Sequence, residues 1–371
     1  MTIDVLHLLP SLSLYGGTPR KIRDLILNSP RQHAIYCWAK WDAEDPSVDF
    51  ENEFQKVGIT VFPGKYGANL ARHIREIARI IKEHDVKVVH GYFETGLLLT
   101  AMSKIFKKSI ATAVSFVGFP SNGVSSLLCN FFAKYIDEFV YVSNYTRHLY
   151  ETKYPRLTSR KGRVIYNGVK FRKPLANPYS PNTSFQAIVV SGLVDWKNIQ
   201  VLLFAVSELQ RDPDPVSISL LVIGDGPLRQ DLERIVAQLN ISNIVTFCGY
   251  QEDIGVHLCS SQLYLHPALK EGFGIAVPEA MLAGLSVLVA NAGALPELIN
   301  NYETGVIIEN PRSSMEWANA IRLLVNDDQL RIRLGRAAEK SAKERFSIEK
   351  FSIAHELLYL DLLHCGNATR T

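Results

Sequence analysis

Two carboxylates, Glu271 and Glu279, lie eight positions apart in the segment EGFGIAVPE, separated by two glycines and a proline. The glycines disfavour a helix at the start of this segment, whereas Pro278 suits the first turn of one. We therefore expect a loop over 271–277 that becomes a helix at Pro278. A glycine loop leading into a helix exposes backbone N–H groups, for which phosphate is the usual ligand.

Carboxylates would repel phosphate at such a site, so the two glutamates are better suited to hold hydroxyl groups. A nucleotide sugar offers both partners, because its diphosphate can bind the amides while its ribose and sugar hydroxyls bind Glu271 and Glu279. The amides are those of Gly272, Phe273, Gly274 and Ile275. The alternative is a glycine-rich turn before a buried helix, with two solvated glutamates, and spacing alone leaves both interpretations open.

Strand-like runs alternate with helical periods from the start of the chain, which is typical of parallel α/β architecture. The run 3–9 is followed by a glycine pair and a helix, and 216–240 repeats this order of strand, glycine turn and helix. Neither turn matches the complete dinucleotide-binding fingerprint, so a dehydrogenase is disfavoured.

A third run, VKVVH, predicts a buried strand over 86–90 that ends in His90. The carboxyl end of a parallel strand lies at the edge where ligands of doubly wound sheets bind. His90 is therefore a candidate active-site residue. The alternative is a histidine that is simply hydrogen-bonded beneath a loop.

The composition predicts two well-cored domains, because 371 residues exceed one ordinary domain and 47% of them are hydrophobic. A net charge of +3 gives no basis for nucleic-acid binding, and the five cysteines lack metal-site spacing. The chain starts without a basic leader, and no apolar run reaches the roughly 18 residues of a membrane span. We therefore expect a cytoplasmic protein with a linker over 173–184, a stretch rich in proline, asparagine and serine.

The segment EGFGIAVPE resembles the E-x7-E signature of the retaining glycosyltransferases of family 4, which have the GT-B fold. Further landmarks of that family follow the same order along this chain: VIYNGV (164–169), VIGDGPLRQDLE (222–233) and VTFCGY (245–250). The resemblance covers most of the C-terminal half closely and the N-terminal half loosely.

This resemblance implies two Rossmann-like, doubly wound parallel-sheet domains that face a central cleft. The acceptor-side domain would be 1–172, the nucleotide-sugar donor domain would be 185–347, and a terminal helix over 348–364 would cross back to the first domain. In the family, the glycine loop that contains Gly17 faces the donor phosphate, and the segment ending at Tyr250 contacts the nucleotide base.

The resemblance also implies roles for charged residues. Glu271 would bind donor-sugar hydroxyls, Glu279 would hold the ribose, and the family often has a histidine at the position of His90. The loop after the first strand of the donor domain usually carries an arginine and, five positions on, a lysine, both of which reach the diphosphate. Lys197 matches the lysine, but Gly192 stands where the arginine is expected.

The implied function is transfer of a hexosyl-type sugar from a nucleoside diphosphate sugar, with retention, without a metal, in polysaccharide or glycoconjugate biosynthesis. Two alternatives stay open: a nucleotide-sugar epimerase of GT-B shape, and a non-catalytic nucleotide-sugar binding protein. The sequence does not determine the donor, the sugar, the acceptor or the oligomeric state.

The acceptor would be a sugar or a lipid-linked sugar. Residues 125–139 combine apolar and aromatic side chains with Lys134, soon after Lys104, Lys107 and Lys108. Such a patch can touch an anionic membrane surface, here the inner face, or a lipid-linked acceptor. The alternative is a helix that faces the core.

Overall fold

The computed structural model describes residues 2–12, 17–38, 50–65, 67–121, 124–171 and 185–368. The chain divides into two compact units. The first combines Met1–Gly168 with Ile348–Thr371, and the second is Val169–Ser347. The expected linker, 173–184, lies outside the described residues.

The first unit contains a parallel sheet that, within the described residues, has seven strands in the order β3-β2-β1-β4-β5-β6-β7. The strands are β1 (Val5–Leu9), β2 (His33–Cys37), β3 (Thr60–Pro63), β4 (Val88–Tyr92), β5 (Ala111–Phe116), β6 (Glu138–Tyr141) and β7 (Lys161–Val164). The helices are α1 (Gly17–Leu27), α2 (Phe50–Lys56), α3 (Leu70–Glu83), α4 (Phe93–Phe106), α5 (Val124–Phe132) and α6 (Asn144–Lys153).

The second unit has a parallel sheet with six strands in the described part of the chain, in the order β10-β9-β8-β11-β12-β13. Its strands are β8 (Phe185–Val190), β9 (Ile218–Ile223), β10 (Val245–Gly249), β11 (Leu263–His266), β12 (Ser286–Ala290) and β13 (Val306–Ile308). Its helices are α7 (Ile199–Arg211), α8 (Arg229–Gln238), α9 (Gly255–Ser260), α10 (Ala276–Leu282), α11 (Leu295–Leu298), α12 (Ser314–Asn326) and α13 (Asp328–Arg345). The last helix, α14 (Ile348–Ala368), belongs to the first unit.

The predicted class, two doubly wound parallel sheets, is confirmed, and three local predictions need correction. Helix α10 begins at Ala276, so Pro278 is its third residue; Val277 N–H already bonds Gly274 O at 2.9 Å. Strand β4 continues past His90 to Tyr92 because β5 pairs with it along that length. The acidic composition of 41–53 predicts irregular structure, whereas helix α2 already begins at Phe50.

Each sheet has one point where the chain reverses its direction of winding. In the first sheet, β1 lies between β2 and β4, and in the second, β8 lies between β9 and β11. The loops after the two strands at such a point diverge to opposite faces, and the space between them is where doubly wound folds bind ligands. In the second unit, Lys197 lies in the loop after β8 and Glu271 lies in the loop after β11, so both loops follow strands at this reversal point.

A network of buried histidines lies on the face of the first sheet that α14 covers. His7 on β1 is hydrogen-bonded to Tyr92 at 3.0 Å and to His33 at 2.8 Å. His90 on β4 is hydrogen-bonded to the Tyr359 hydroxyl of α14 at 2.9 Å. These polar groups lie beside an apolar cluster that joins β1, β4 and β5 to α14.

The histidines of this network stay neutral because burial disfavours the charged ring. Burial lowers the pKa of His33 and of His355, a neighbour of His90 on α14, to about 4. It also holds the pKa values of His7 and His90 well below the usual value, and the charges of neighbouring histidines lower them further.

Acidification should therefore destabilise the first unit. The unfolded chain protonates its histidines near pH 6.5, but the folded network does not, so stability is complete above about pH 6.5 and falls as the pH drops towards 4. By pH 4, His33 and His355 should each have lowered the free energy of unfolding by on the order of 3 kcal/mol. Thermal melts followed by circular dichroism between pH 7.5 and 4.5 measure this slope.

The variant His355→Leu should flatten the dependence of the melting temperature on pH, whereas His364→Gln, which alters an exposed histidine of the same helix, should not. If the melting temperature of His355→Leu depended on pH as steeply as that of the native chain, buried His355 would not be a source of the acid sensitivity.

Candidate functional site

Lys197 and Glu271 meet at the reversal point of the second sheet. Lys197 lies in the loop between β8 and α7, and Glu271 lies in the loop between β11 and α10. Strands β8 and β11 are hydrogen-bonded neighbours, although the chain visits β9 and β10 between them. The topology thus brings together two residues that are 74 positions apart.

Backbone and amide contacts tie these two loops together. Asn198 adopts a left-handed conformation (φ 55°), which asparagine tolerates better than most residues. Its side-chain amide donates to Pro267 O at 3.3 Å and to Pro311 O at 2.9 Å. In the opposite direction, Leu269 N–H donates to Trp196 O at 2.8 Å. The position of Lys197 relative to Glu271 is therefore set by the backbone on both sides.

Two donors converge on one oxygen of Glu271. Lys197 Nζ lies 2.5 Å from Glu271 Oε2, and His266 Nε2 lies 3.0 Å from the same atom. The other ring nitrogen of His266, Nδ1, lies 3.0 Å from the hydroxyl of Tyr264. A continuous chain of hydrogen bonds thus runs from Tyr264 on β11 to Lys197.

This arrangement keeps Glu271 ionised. Burial alone would raise its pKa, but the hydrogen bond from His266 and the charge of Lys197 lower the pKa to about 2. Burial lowers the pKa of His266, so the ring is neutral near pH 7. The pKa of Tyr264 is raised, first by burial and then by the charges of both Glu279 and Glu271. The two predicted carboxylates therefore act on the same tyrosine.

The backbone of Glu271 is held by a second glycine loop. Gly293 has φ +60°, and a Cβ atom there would lie 2.3 Å from Glu271 O. The next residue, Ala294, donates its N–H to Glu271 O at 3.0 Å. Gly274 (φ +90°) approaches the Glu271 side chain, since its Cβ would lie 3.2 Å from Cγ. Only glycine fits such contacts without displacement.

The other residues predicted around this loop lie on the same turn. Glu279 is half-buried in the first turns of α10, and Ile275 immediately precedes that helix. The ring of Phe273 is buried against Phe346, with ring centroids 5.8 Å apart. A ligand could therefore contact Phe273 through its backbone but not through its ring. Gly272 is buried as well.

Tyr250 and Gly192 lie at the same carboxyl edge of the second sheet. Tyr250 follows β10 and is 45% exposed. Gly192 follows β8, is exposed, and has Asp225 O as its nearest neighbour, 3.9 Å from a Cβ built there. The missing arginine of the family pattern therefore leaves open space.

Two predicted residues belong to the first unit. Gly17 is the exposed first residue of α1. His90 is fully buried, and its Nε2 is hydrogen-bonded to Ser115 Oγ at 2.8 Å while Tyr359 occupies Nδ1. This is the geometry of the alternative interpretation, a histidine held by hydrogen bonds, and a catalytic role for His90 stays a prediction.

Tyr264, His266, Asn198 and Gly293 were not predicted from the sequence. The apolar run LYLH (263–266), which ends in a histidine five residues before Glu271, was a usable signal for His266. Gly293 carried no local signal, because its contact with Glu271 depends on how the loop after β12 returns.

Two family models match the chain. Glycosyltransferase Family 4 matches residues 15–173, and Glycosyl transferases group 1 matches residues 174–341. The chain belongs to glycosyltransferase family 4. The second match contains the whole Lys197–Glu271 arrangement.

Curated relatives of this family 4 chain share modest identity with it. It is 31% identical to the N-acetyl-alpha-D-glucosaminyl L-malate synthase of Bacillus anthracis over 176 residues, 47% of this chain and 45% of that protein. It is 24% identical to the GDP-mannose-dependent alpha-(1-6)-phosphatidylinositol monomannoside mannosyltransferase of Mycobacterium tuberculosis over 352 residues, 88% and 89% of the two chains. The chain covers 38% of the D-inositol 3-phosphate glycosyltransferase of Corynebacterium efficiens. It thus spans less than half the length of this protein and of the Bacillus anthracis synthase.

Solved structures share the fold of the chain. The Anabaena protein HepE, crystallised with UDP, superposes with a TM-score of 0.82 at 20% identity, covering 96% of this chain and 99% of that one. A glycosyltransferase of Rickettsia africae gives 0.81 at 19% identity, covering 98% and 99%. The fold is GT-B.

None of the helices in the described ranges is long and apolar enough to cross a membrane. In the part of the chain that the structure describes, no group of three or more His, Cys, Asp or Glu side chains could hold a metal ion.

Substitution of Gly293 should disturb Glu271 directly. Gly293→Ala places a methyl group against the Glu271 carbonyl at a strained φ, and we expect a loss of about 2–4 kcal/mol in the unfolding free energy of the second unit. Urea titration followed by circular dichroism measures the loss. Gly192→Ala, at an exposed position with free space, is the matched control and should stay within about 0.5 kcal/mol of the native chain. Equal midpoints for the two variants would show that the Gly293 contact is unimportant.

Proposed function

We propose that this chain is a glycosyltransferase that moves a hexosyl-type sugar from a nucleoside diphosphate sugar to an acceptor hydroxyl group. The observation that carries the proposal is the Lys197–Glu271 pair, which sets a cation beside an ionised carboxylate at the reversal point of a doubly wound sheet. Family membership supports it, as do the glycosyltransferase names of the relatives and the complexes of HepE with UDP and UDP-glucose.

The donor spans the carboxyl edge of the second sheet in this proposal. Strand β10, which precedes Tyr250, lies three strand spacings from β11, or about 14 Å. A nucleoside diphosphate sugar can cover that distance, with its base at Tyr250 and its sugar at Glu271. Lys197 then binds the diphosphate between them, and Glu279 holds the ribose hydroxyls.

The charges assign the chemical roles. With a pKa of about 2, Glu271 is ionised at neutral pH and cannot serve as a general acid. It binds sugar hydroxyls and stabilises positive charge at the anomeric carbon, while Lys197 stabilises the departing diphosphate without a metal. The departing oxygen takes the proton of the acceptor hydroxyl, so that attack occurs on the same face and the configuration is retained.

The acceptor is a sugar or a lipid-linked sugar of polysaccharide or glycoconjugate biosynthesis, and the first unit makes peripheral contact with an anionic membrane. Support comes from exposed Phe106 and Phe131, at the ends of two helices that pack together, and from Lys134, whose ammonium lies 5.1 Å from the Phe131 ring. Lys104 and Lys107 are less available, because both have aspartate partners.

A donor panel tests the transferase proposal. Purified protein is melted with UDP, UDP-glucose, GDP, GDP-mannose or ADP-glucose in the presence of EDTA. One nucleotide series should raise the melting temperature of the second unit by roughly 5–10 °C at a hundredfold excess over its Kd. Lys197→Ala and Glu279→Ala should abolish the shift, and NMR of a transfer product should show the anomeric configuration of the donor.

Gly192→Arg is the informative counterpart to these losses. It restores a charge-assisted contact with the diphosphate, for which about 1.5–3 kcal/mol is typical, so nucleotide binding should tighten by at least about tenfold. Gly192→Gln is the uncharged control. Absence of binding to every nucleotide, by the native chain and by Gly192→Arg alike, would contradict the proposal.

Membrane contact is tested by flotation with vesicles of phosphatidylglycerol and phosphatidylcholine. The native chain should float with anionic vesicles, and the double variant Phe106→Ser, Phe131→Ser should lose most of this binding. Phe204→Ser, at an exposed phenylalanine of the second unit, is the control. Equal flotation of all three proteins would place the contact elsewhere.

A further inference from the structure

We propose that His266, backed by Tyr264, is the positioning residue that keeps the Glu271 carboxylate oriented after a diphosphate has engaged Lys197. This inference rests on the proposed function, in which Glu271 meets the donor sugar and Lys197 meets the diphosphate.

The two partners of Glu271 differ in how far they can move. The Lys197 ammonium lies at the end of a flexible four-carbon side chain, which is 19% exposed. A diphosphate offers this ammonium more negative charge than one carboxylate does. The ring of His266 is 3% exposed and is held at the end of β11. When Lys197 turns to the ligand, His266 is the donor that remains on Oε2.

Glu271 determines which nitrogen of His266 carries the proton. An ionised carboxylate only accepts hydrogen bonds, so Nε2 of His266 must be the protonated nitrogen. Because the ring is neutral, Nδ1 accepts from the Tyr264 hydroxyl at 3.0 Å, a shorter contact than the 3.5 Å from that hydroxyl to Val190 O. Tyr264 and His266 are two residues apart on one strand, so both side chains project from the same face. The carboxylate thus selects the tautomer, and the tyrosine, by bonding Nδ1, holds the tilt of the ring.

This arrangement presents one oxygen of Glu271 to the ligand. Both donors engage Oε2, and among the described residues Oε1 has no hydrogen-bond partner. A carboxylate whose side chain is only 14% exposed would be left without a donor if His266 were apolar and Lys197 were turned away. Such an unpaired buried charge reorients or takes up a proton, and contact with the sugar is lost.

The experiment compares nucleotides with and without the sugar. Isothermal titration calorimetry gives the Kd of UDP and of UDP-glucose, and of GDP and of GDP-mannose, for the native chain and for His266→Leu. The nucleotide Kd should change by less than about twofold, which also shows that the variant is folded. The ratio of the sugar-nucleotide Kd to the nucleotide Kd should rise about tenfold.

Three further variants separate positioning from a structural role. His266→Gln keeps a donor near the position of Nε2 and should restore most of the native ratio, and Tyr264→Phe should raise the ratio by a smaller factor. In the Glu271→Gln background, His266→Leu should add nothing, because its effect is exerted through Glu271.

An unchanged ratio in His266→Leu, an equal loss of nucleotide and sugar-nucleotide binding, or an effect that persists without Glu271 would each overturn the inference and leave the transferase proposal standing. If neither the native chain nor Gly192→Arg binds any nucleotide of the donor panel, the proposed function fails, and this inference fails with it.

Discussion

The candidate site of the second unit is built around the ion pair between Lys197 and Glu271. Both side chains are largely buried, at 19% and 14% exposure, and a buried charge is tolerated only when it is paired and hydrogen-bonded. Asn198 ties the lysine loop to the glutamate loop, Gly293 supports the backbone of Glu271, and His266 supplies a second donor. The contacts of Lys197 and Asn198 depend on β8 and β11 being neighbours in the sheet, and the contact of Gly293 depends on the loop after β12.

Within the proposed function, the same pair accounts for diphosphate binding at a site with Gly192 in place of the usual arginine. Lys197 is bonded to Glu271 in the structure. In that proposal a diphosphate competes with a carboxylate for the lysine. The consequence, within the proposed function, is that donor binding and the release of Glu271 for the sugar are one event, and His266 becomes more important than it would be beside two cations.

Buried histidines serve different purposes in the two units. In the first unit, His7 and His33 are hydrogen-bonded to each other, His90 is bonded to a tyrosine and a serine, and the neutrality of all three supports packing beneath α14. In the second unit, His266 is bonded to an ionised carboxylate. The residue type is the same, but the partner decides whether the ring stabilises a core or orients a charged group.

The amino-acid sequence by itself determined the class of fold, because alternation of apolar strands with helical periods depends on local pattern alone. It also determined the glycine loop around Glu271 and the family, since those residues are contiguous or ordered along the chain. It placed the start of α10 two residues late, at Pro278. The helix already begins at Ala276, and Pro278 still lies in the first turn, where a missing N–H leaves no bond unmade. Only the tertiary structure decided that Lys197 and His266 both bond Oε2 of Glu271, and that Gly293 lies against the Glu271 backbone. The physical reason is the order of the strands: contacts across 74 positions arise from the return of β11 to the side of β8, which no local pattern encodes.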